Sequence, residues 1–318
     1  MEKIFLTEHI HDDAVAYLKE HFEVVQGTST EASEIIRQAQ GCAGILIRSA
    51  KITAEIMDAI PTLKVVAKHG MGVDNIDVAH ATEKGILVVN APYSNMNAVA
   101  EHIVTLLLAL SKRIVRMDKL TRNGGFAQRN TYKTMELKNA TVGIVGMGKI
   151  SRLVVKKLSA FDMHIIASDP FVKQENVGDL PVRMTSAEEV YSTSDFVVVH
   201  TSLFPSTFHL VGAEQFGMMK PTAYIINAAR GPIIDEAAMI EALKDGEIAG
   251  AGLDVFEQEP PAEDNPLFDM DNVIVSPHNA ALCDGALRAM AMDSAQGITE
   301  YLTGQAVSYP VNREVLEK

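Results

Sequence analysis

Three residues in the second half of the chain have side chains suited to carboxylate binding and proton transfer. Arg230 ends the apolar run AYIINAAR, Glu259 comes after GLDVFEQ and before two prolines, and His278 follows VIVSP. An arginine fork binds carboxylates through two hydrogen bonds, and imidazole exchanges protons near neutral pH. No carboxylate lies within four residues of Arg230, and a buried unpaired charge is costly, so we expect an anion to meet it.

A glycine-rich segment in the middle of the chain predicts a dinucleotide site. The apolar run Thr141–Val145 leads into Gly146-Met147-Gly148, and an amphipathic stretch and a second apolar run ending at Asp169 follow. Gly146 would permit a tight turn, and Gly148 would let backbone N–H groups approach a pyrophosphate at a helix N-terminus. Ser151 is the small residue at the third position. Asp169 could bind the ribose hydroxyls and repel a 2′-phosphate, which favours NAD over NADP.

Together, these features predict hydride transfer between NAD and a 2-hydroxy acid. Arg230 would hold the substrate carboxylate, and His278 would take or give the hydroxyl proton. Glu259 beside the imidazole would fix its tautomer and favour its protonated form. Each residue also has a structural interpretation: a salt bridge for the arginine, a solvated loop for the glutamate and a packed ring for the histidine. It is their occurrence after a dinucleotide motif that indicates an active site.

Short apolar runs alternate with amphipathic stretches along most of the chain, which predicts an α/β fold with parallel sheets. Residues 54–60 and 236–247 have helical periodicity; Asp235 is the expected N-cap of the second helix and Gly246 its stop. We expect ten strands, in the segments KIFL, GILIRS, LKVVAKH, ILVVN, TVGIVG, HIIASD, DFVVVH, AYIINA, AGAGLDVF and NVIVSP.

The domain organisation follows from longer segments. A long helix is predicted over 97–120 and a polar loop after it, so 1–96 and 97–285 form separate α/β units. A C-terminal helix is expected over 281–302, and the sequence pattern leaves open which unit it joins.

Composition narrows the class of protein. The 318 residues are 47% hydrophobic and carry a net charge of −13 without a dense basic run, which argues against nucleic-acid and anionic-membrane partners. Cys42 and Cys283 suggest reduced thiols rather than a disulfide or a metal site. The N-terminus lacks a signal-peptide pattern, and the apolar run 103–110 is short for a membrane span, so we expect a cytoplasmic protein.

The motifs VGIVGMGKI, FVVVHTSLFPST, INAARGPIID, AGLDVFEQEP, VIVSPHNA and HGMGVDNID resemble those of the D-isomer-specific 2-hydroxyacid dehydrogenases over nearly the whole chain. The resemblance implies a Rossmann-type doubly wound NAD-binding domain (97–285), a flavodoxin-like substrate domain (1–96 with 286–318), an active site between them and a homodimer. It implies that Arg230, Glu259 and His278 are catalytic. It also implies that NAD contacts Gly146, Gly148, Lys149, Ile150, Asp169, His200, Thr201, Ala228, Asp254 and Ala280.

In the segments expected to contact the substrate, the sequence resembles the phosphoglycerate dehydrogenase branch, without the regulatory extension of its longer members. Gly72 and Val73 would bind the substrate carboxylate through their amides, in a glycine-rich segment suited to an anion. Arg48 and Lys68 would lie near the substrate, with 3-phosphoglycerate as one candidate. Asn279-Ala280 and Ser202 depart from the usual family residues, and those departures bear on the substrate more than on the reaction.

Two alternative functions use the same fold. One is an NAD-binding co-repressor or scaffold, which could retain all three catalytic residues. The other is a related NAD-fold enzyme, such as an amino-acid dehydrogenase or a hydrolase with bound NAD; the order arginine, glutamate, histidine argues against it.

Overall fold

The structure, a computed structural model, describes residues 1–317. It divides the chain into two compact units. The first contains residues 1–95 and the segment that begins at Ala281, and the second contains Met96–Ala280. Both are α/β units built on parallel sheets, as predicted.

The first unit has a five-stranded parallel sheet with strand order β2-β1-β3-β4-β5, the order found in flavodoxin-like folds. Its strands are β1 (Lys3–Leu6), β2 (Glu23–Gln26), β3 (Gly44–Ile47), β4 (Val65–Lys68) and β5 (Leu87–Val89). Its first four helices are α1 (Asp12–His21), α2 (Ala32–Gln38), α3 (Ala54–Ala59) and α4 (Val78–Glu83). The C-terminal helix, Asp284–Leu302, buries Ala291, Ala295 and Ile298 against one face of this sheet, which answers the question that the pattern left open.

The second unit has a seven-stranded parallel sheet with strand order β12-β11-β10-β9-β6-β7-β8. Its strands are β6 (Thr141–Val145), β7 (His164–Ser168), β8 (Arg183–Met184), β9 (Phe196–Val199), β10 (Tyr224–Asn227), β11 (Gly250–Leu253) and β12 (Val273–Val275). Its helices are α5 (Met96–Lys112), α6 (Ile114–Arg122), α7 (Lys149–Leu158), α8 (Ala187–Thr193), α9 (Ala213–Met218) and α10 (Glu236–Asp245). The strand order reverses between β6 and β9, where doubly wound sheets bind ligands.

The local signals for α10 are confirmed. The Asp235 carboxylate accepts a hydrogen bond from the Ala238 amide, and Gly246 ends the helix with a left-handed φ of 72°. The prediction of one helix over 97–120 is wrong. Arg113 interrupts it with φ 50°, so α5 and α6 are separate helices. None of the helices among residues 1–317 combines the length and apolar character needed to cross a bilayer.

Two strands escaped the sequence analysis. β2 reads EVVQ and is only partly buried, and β8 has just two residues, Arg183 and Met184. Both lie at the edge of their sheets. Their few apolar residues give no run that would separate them from a loop.

Candidate active site

The residues selected in the second unit all lie at or just beyond the carboxyl ends of strands. Parallel strands present these ends on one edge of the sheet, so six separate stretches of sequence meet there. The stretches carry Gly146 after β6, Asp169 after β7, His200 and Thr201 after β9, Ala228 and Arg230 after β10, Asp254 and Glu259 after β11, and His278 and Ala280 after β12.

The turn after β6 has the geometry that a dinucleotide motif requires. Gly146 adopts φ +92°, and a Cβ there would lie 2.5 Å from the His200 carbonyl oxygen, so the turn accepts only glycine. Gly148 precedes α7 without a side-chain cap, and a Cβ on Gly148 would meet no protein atom within 4 Å. Open space therefore adjoins the N-terminus of a ten-residue helix, where backbone N–H groups and the helix dipole favour an anion.

Asp169 lies against this turn. Its Oδ2 accepts a hydrogen bond from the Met147 amide at 2.7 Å, and its Oδ1 accepts one from the Phe171 amide at 2.8 Å. The carboxylate is partly exposed. Each oxygen retains acceptor capacity for a ribose hydroxyl, since a carboxylate offers about four lone-pair sites.

The other selected residues around the turn differ in what they could offer a ligand. Lys149 is exposed in the first turn of α7, whereas the Ile150 side chain is buried, so only its backbone could meet a ligand. Burial, with a smaller contribution from the positive charge of Arg230, lowers the pKa of His200 to about 4, so His200 is neutral at pH 7. Thr201 adjoins Gly146, and Ala228 is buried at the end of β10.

These observations fit a nicotinamide dinucleotide. A glycine-only turn, an uncapped helix N-terminus facing open space and a carboxylate beside the turn form the donor and acceptor set that a pyrophosphate and a ribose need. Gly148, Lys149 and Ile150 would hold the pyrophosphate through backbone N–H groups, and Asp169 would hold the ribose.

His278 and Glu259 form a direct pair. His278 Nδ1 lies 2.7 Å from Glu259 Oε2, and the other carboxylate oxygen, Oε1, accepts a hydrogen bond from the Phe256 amide at 3.1 Å. Partial burial would raise the pKa of the Glu259 carboxyl, but the His278 hydrogen bond and the charges of His278 and Arg230 hold it below its ordinary value. Glu259 is therefore a carboxylate at neutral pH, and His278 Nδ1 is the donor.

Arg230 belongs to the same cluster. Its guanidinium Nη1 donates to the Ala229 carbonyl oxygen at 2.7 Å, and its own carbonyl accepts from Asn227 Nδ2 at 3.0 Å. Its charge lowers the pKa values of both Glu259 and His200. Arg230 therefore lies close enough for its charge to act on both Glu259 and His200.

Asp254 supports the turn that carries His278. Its carboxylate is buried and accepts hydrogen bonds from the Ser276 hydroxyl at 2.6 Å and from the amides of Asn279 and Ala280 at 2.9 Å each. His278 itself has φ 51°, a conformation that is strained for a residue other than glycine. Asp254 and Ala280 thus bond to each other within the protein, and their contact with a cofactor stays a prediction.

Sequence reasoning missed His102, which lies behind this turn. His102 on α5 lies 2.9 Å from the Ser276 hydroxyl and 3.5 Å from the Asp254 carboxylate. His102 lies far from Ser276 in sequence and is part of no motif, so only the packing of α5 beside β11 reveals it.

The first unit places its candidate residues at the carboxyl ends of β3 and β4. Arg48 follows β3 and donates from Nη1 to the His9 carbonyl oxygen at 3.1 Å; it forms no ion pair within residues 1–317. Lys68 ends β4, and its Nζ donates to the Arg48 carbonyl oxygen. Within residues 1–317, the Gly72 and Val73 amides donate no hydrogen bond to any protein group. Both amides are therefore available to an anion.

Glu8 was not selected from the sequence, yet it organises the Arg48 turn. Its carboxylate accepts hydrogen bonds from the Arg48 and Ser49 amides at 2.9 and 2.7 Å and from the hydroxyls of Thr7 and Ser49. Next to this turn, burial and the nearby positive charge of Arg48 together lower the pKa of His69 to about 4. Neutral His69, whose Nε2 contacts the Leu287 carbonyl oxygen, adds no positive charge beside Arg48 and Lys68.

Comparison with known proteins identifies similar sequences. Residues 104–280 match the family model described as D-isomer specific 2-hydroxyacid dehydrogenase, NAD binding domain. The chain is 40% identical, over 98% of its length, to a D-3-phosphoglycerate dehydrogenase of Methanocaldococcus jannaschii, of which it covers 60%. It is 39% identical, over 99% of its length, to a glyoxylate reductase of Thermofilum pendens, of which it covers 96%.

A solved structure is similar to this chain over nearly its full length. It is the NADPH-dependent glyoxylate/hydroxypyruvate reductase of Sinorhizobium meliloti in complex with NADP and malonate. The TM-score is 0.87 at 28% identity, with 98% of this chain and 96% of that chain covered. The chain spans about 60% of the length of the first curated phosphoglycerate dehydrogenases that it matches.

Proposed function

Because the chain belongs to the D-isomer-specific 2-hydroxyacid dehydrogenase family, we propose that it is an NAD-dependent oxidoreductase acting on a small D-2-hydroxy acid. The reverse reaction reduces the corresponding 2-keto acid. The strongest support is the 2.7 Å contact between His278 and Glu259, with Arg230 in electrostatic reach, at the sheet edge that also carries the glycine turn. A histidine hydrogen-bonded to a carboxylate, a carboxylate-binding cation and a dinucleotide turn are the parts that this reaction needs.

Each of the three residues has a separate task in this proposal. A bound nicotinamide would accept or supply the hydride. Arg230 binds the substrate carboxylate and polarises the carbon–oxygen bond at the reacting carbon. His278 takes the hydroxyl proton on Nε2 during oxidation and returns it during reduction, while Glu259 holds Nδ1 in its protonated form.

The two units divide the work in the same proposal. Residues 97–285 would bind NAD, and residues 1–96 with 286–318 would bind the substrate. The placement of the glycine turn in the second unit, and of Arg48, Lys68, Gly72 and Val73 in the first, supports this division.

Two substrate classes agree with the relatives, which are named for 3-phosphoglycerate and for glyoxylate. Arg48 favours a substrate with a second anionic group, because its guanidinium has no carboxylate partner within residues 1–317. We therefore propose 3-phosphoglycerate and its keto acid as one candidate, with glyoxylate and hydroxypyruvate as the other.

Absorbance loss of NADH with a panel of 2-keto acids tests the reaction. The panel contains 3-phosphohydroxypyruvate, hydroxypyruvate, glyoxylate, pyruvate and a branched 2-keto acid, each assayed with NADH and with NADPH. Turnover of at least one acid with NADH supports the proposal. Binding of NADH without turnover of any of them would contradict it and would favour an NAD-binding co-repressor or scaffold.

An Arg48→Ala variant tests the phosphate hypothesis within that panel. We expect its KM for 3-phosphohydroxypyruvate to rise by roughly tenfold or more, as for a lost charge-assisted contact, with little change for glyoxylate. Arg37→Ala, which removes a surface arginine paired with Glu34, is the matched control. An unchanged KM for the phosphorylated acid would exclude a role for Arg48 in binding phosphate.

Two further expectations from the sequence stay predictions: a cytoplasmic location and a homodimer. Light scattering after size exclusion measures the second directly. A mass near twice the 34.5 kDa of the chain would support the dimer, and a mass near 34.5 kDa would contradict it.

A further inference from the structure

Four polar residues on three chain segments form a hydrogen-bonded group next to Arg230 and Glu259, here called the brace: His209, Glu236, Glu257 and Asn265. Glu257 Oε1 lies 2.8 Å from His209 Nε2, and Glu257 Oε2 accepts a hydrogen bond from the Glu236 amide at 3.0 Å. In return, Glu236 Oε2 accepts one from the Glu257 amide at 3.0 Å, and Glu236 Oε1 accepts from Asn265 Nδ2 at 2.7 Å.

The reciprocal bonds join the two segments that carry Arg230 and Glu259. Glu236 is the first residue of α10, shortly after Arg230, and Glu257 precedes Glu259 by two residues. Each of the two carboxylates accepts a hydrogen bond from the other residue's backbone amide, and this pair of bonds opposes sliding of one segment past the other. Charge-assisted bonds of this kind are stronger than neutral ones.

Gly231 shows how closely these segments approach. A Cβ on Gly231 would lie 1.8 Å from the Phe256 carbonyl oxygen and 2.5 Å from the Glu257 nitrogen. The turn after Arg230 therefore lies backbone to backbone against the start of the Glu259 loop. The pairing of β10 with β11 sets the register up to the Asp254 amide, which donates to the Asn227 carbonyl oxygen at 2.9 Å, and the brace adds hydrogen bonds beyond the strand ends.

His209 lies on the third segment of the brace, which follows β9. Its amide donates to the Pro232 carbonyl oxygen at 2.9 Å, and its ring has Asp235 at 3.8 Å on the Nδ1 side, opposite Glu257. His209 is held at φ 49°, a strained conformation that the surrounding bonds maintain. The loop that follows His200 and Thr201 is thus tied to the other two.

We propose that Glu257 is a positioning residue, which holds Glu259 at bonding distance from His278 by anchoring its loop to the Arg230 segment. This rests on the proposed function, in which Glu259 acts through His278. The carboxylate of Glu257 uses one oxygen for His209 and the other for the Glu236 amide. A neutral amide at position 257 offers a single acceptor oxygen, so it cannot accept from both the Glu236 amide and a protonated His209 Nε2, and neither contact keeps the carboxylate charge.

Glu257→Gln is the test, with Glu263→Gln as the control. Glu263 is an exposed carboxylate on the same loop and forms no hydrogen bond or ion pair within residues 1–317. We expect Glu257→Gln to lower kcat/KM by roughly ten- to a hundredfold, since small displacements of catalytic groups cost that much. The dissociation constant of NADH should stay within about twofold, because the glycine turn lies on other loops.

Two readouts separate positioning from a general structural role. In the oxidation direction the pH–rate profile of Glu257→Gln should shift to lower pH, because a displaced Glu259 stabilises the protonated imidazole less. Independently of activity, the ¹⁵N chemical shifts of the His278 ring should show a loss of the Nδ1-protonated tautomer. Glu236→Gln should cause the same changes, and the double variant should add little to either one, as for two residues acting as a unit.

The outcomes decide the matter. A lower rate with a shifted pH profile and altered ¹⁵N shifts supports the inference. A variant that behaves like Glu263→Gln overturns it. So does a variant in which rate, melting temperature and NADH affinity all fall while the pH profile and the ¹⁵N shifts stay those of the wild type. If the wild-type protein reduces no keto acid, the proposed function fails, while the ¹⁵N comparison still tests whether Glu257 positions Glu259.

Discussion

Glu259 Oε2 and His278 Nδ1 lie 2.7 Å apart although their residues follow different strands, β11 and β12, which are neighbours in the sheet. Because the carboxylate can only accept, Nδ1 carries the proton and Nε2 keeps its lone pair when the ring is neutral. The ring is about half exposed. This is the arrangement of a base that can take a proton from a ligand hydroxyl.

Replacing His278 by asparagine removes that base while keeping a polar side chain. We predict a loss in kcat on the order of 10² to 10⁴, the usual value of a positioned acid–base group. NADH affinity, measured by fluorescence titration, should not change. His164→Asn is the control, since His164 is an exposed ring at the opposite end of β7. A His278 variant with the wild-type rate would remove it from the mechanism.

Asp169 should determine the choice between NAD and NADP. Its carboxylate lies at the glycine turn, where a 2′-phosphate would meet a like charge. We predict that Asp169→Asn lowers the ratio of kcat/KM with NADH to that with NADPH by about tenfold, which corresponds to about 1.4 kcal/mol of lost repulsion. Asp179→Asn changes an exposed carboxylate and serves as control. An unchanged ratio would place the preference elsewhere.

The two glycines of the turn should respond differently to alanine. Gly146→Ala creates a close approach to the His200 carbonyl at φ +92°, so we expect a loss of roughly 1–3 kcal/mol in the free energy of unfolding and loss of NADH binding. Gly148→Ala meets no protein atom and should leave the melting temperature unchanged. It should still weaken NADH binding by roughly tenfold, because its methyl group occupies the space beside the helix N-terminus. Equal effects of both changes would contradict the assignment of that space to a ligand.

Glu8 should make stability depend on pH in the acid range. Partial burial would raise the pKa of Glu8, but hydrogen bonds from Ser49, Thr7 and the Arg48 amide lower it to about 2. A depressed folded-state pKa stabilises the protein above the unfolded value of about 4.5, and the contribution disappears as the pH falls towards 2.

We predict that Glu8→Gln lowers the free energy of unfolding at neutral pH by about 1 kcal/mol, a value already reduced for the partial exposure of Glu8. Urea unfolding at neutral pH and at about pH 3 measures the difference, which should shrink at the lower pH. Glu20→Gln, at an exposed position on α1, is the control. A difference that persists unchanged at low pH would contradict the prediction.

Local sequence signals were sufficient for the strand ends and for the residues beyond them. Arg230, Asp169 and His278 each follow an apolar run, and parallel sheets bring such positions to one edge without further information. The glycine turn could be predicted for a similar reason, since Gly146 is required by backbone geometry alone.

Contacts between distant segments could not be predicted in this way. The hydrogen bonds of the Asp254 carboxylate to the amides after His278 depend on how β11 and β12 pair, and no pattern in the sequence indicates them. The reciprocal bonds of Glu236 and Glu257 depend on two loops meeting at Gly231, and no spacing in the sequence encodes that meeting. No glycine or proline next to Arg113 indicates the break between α5 and α6.

The stereochemistry of the reaction is the most direct test of the proposed enzyme. The measurement is the initial rate of NADH formation from NAD with the separate D and L enantiomers of a chiral hydroxy acid, namely the one whose keto form is reduced fastest once achiral glycolate is set aside. We predict NADH formation with the D enantiomer alone, and its loss in the His278→Asn variant. Faster oxidation of the L enantiomer, or no NADH from either one, would contradict the assignment.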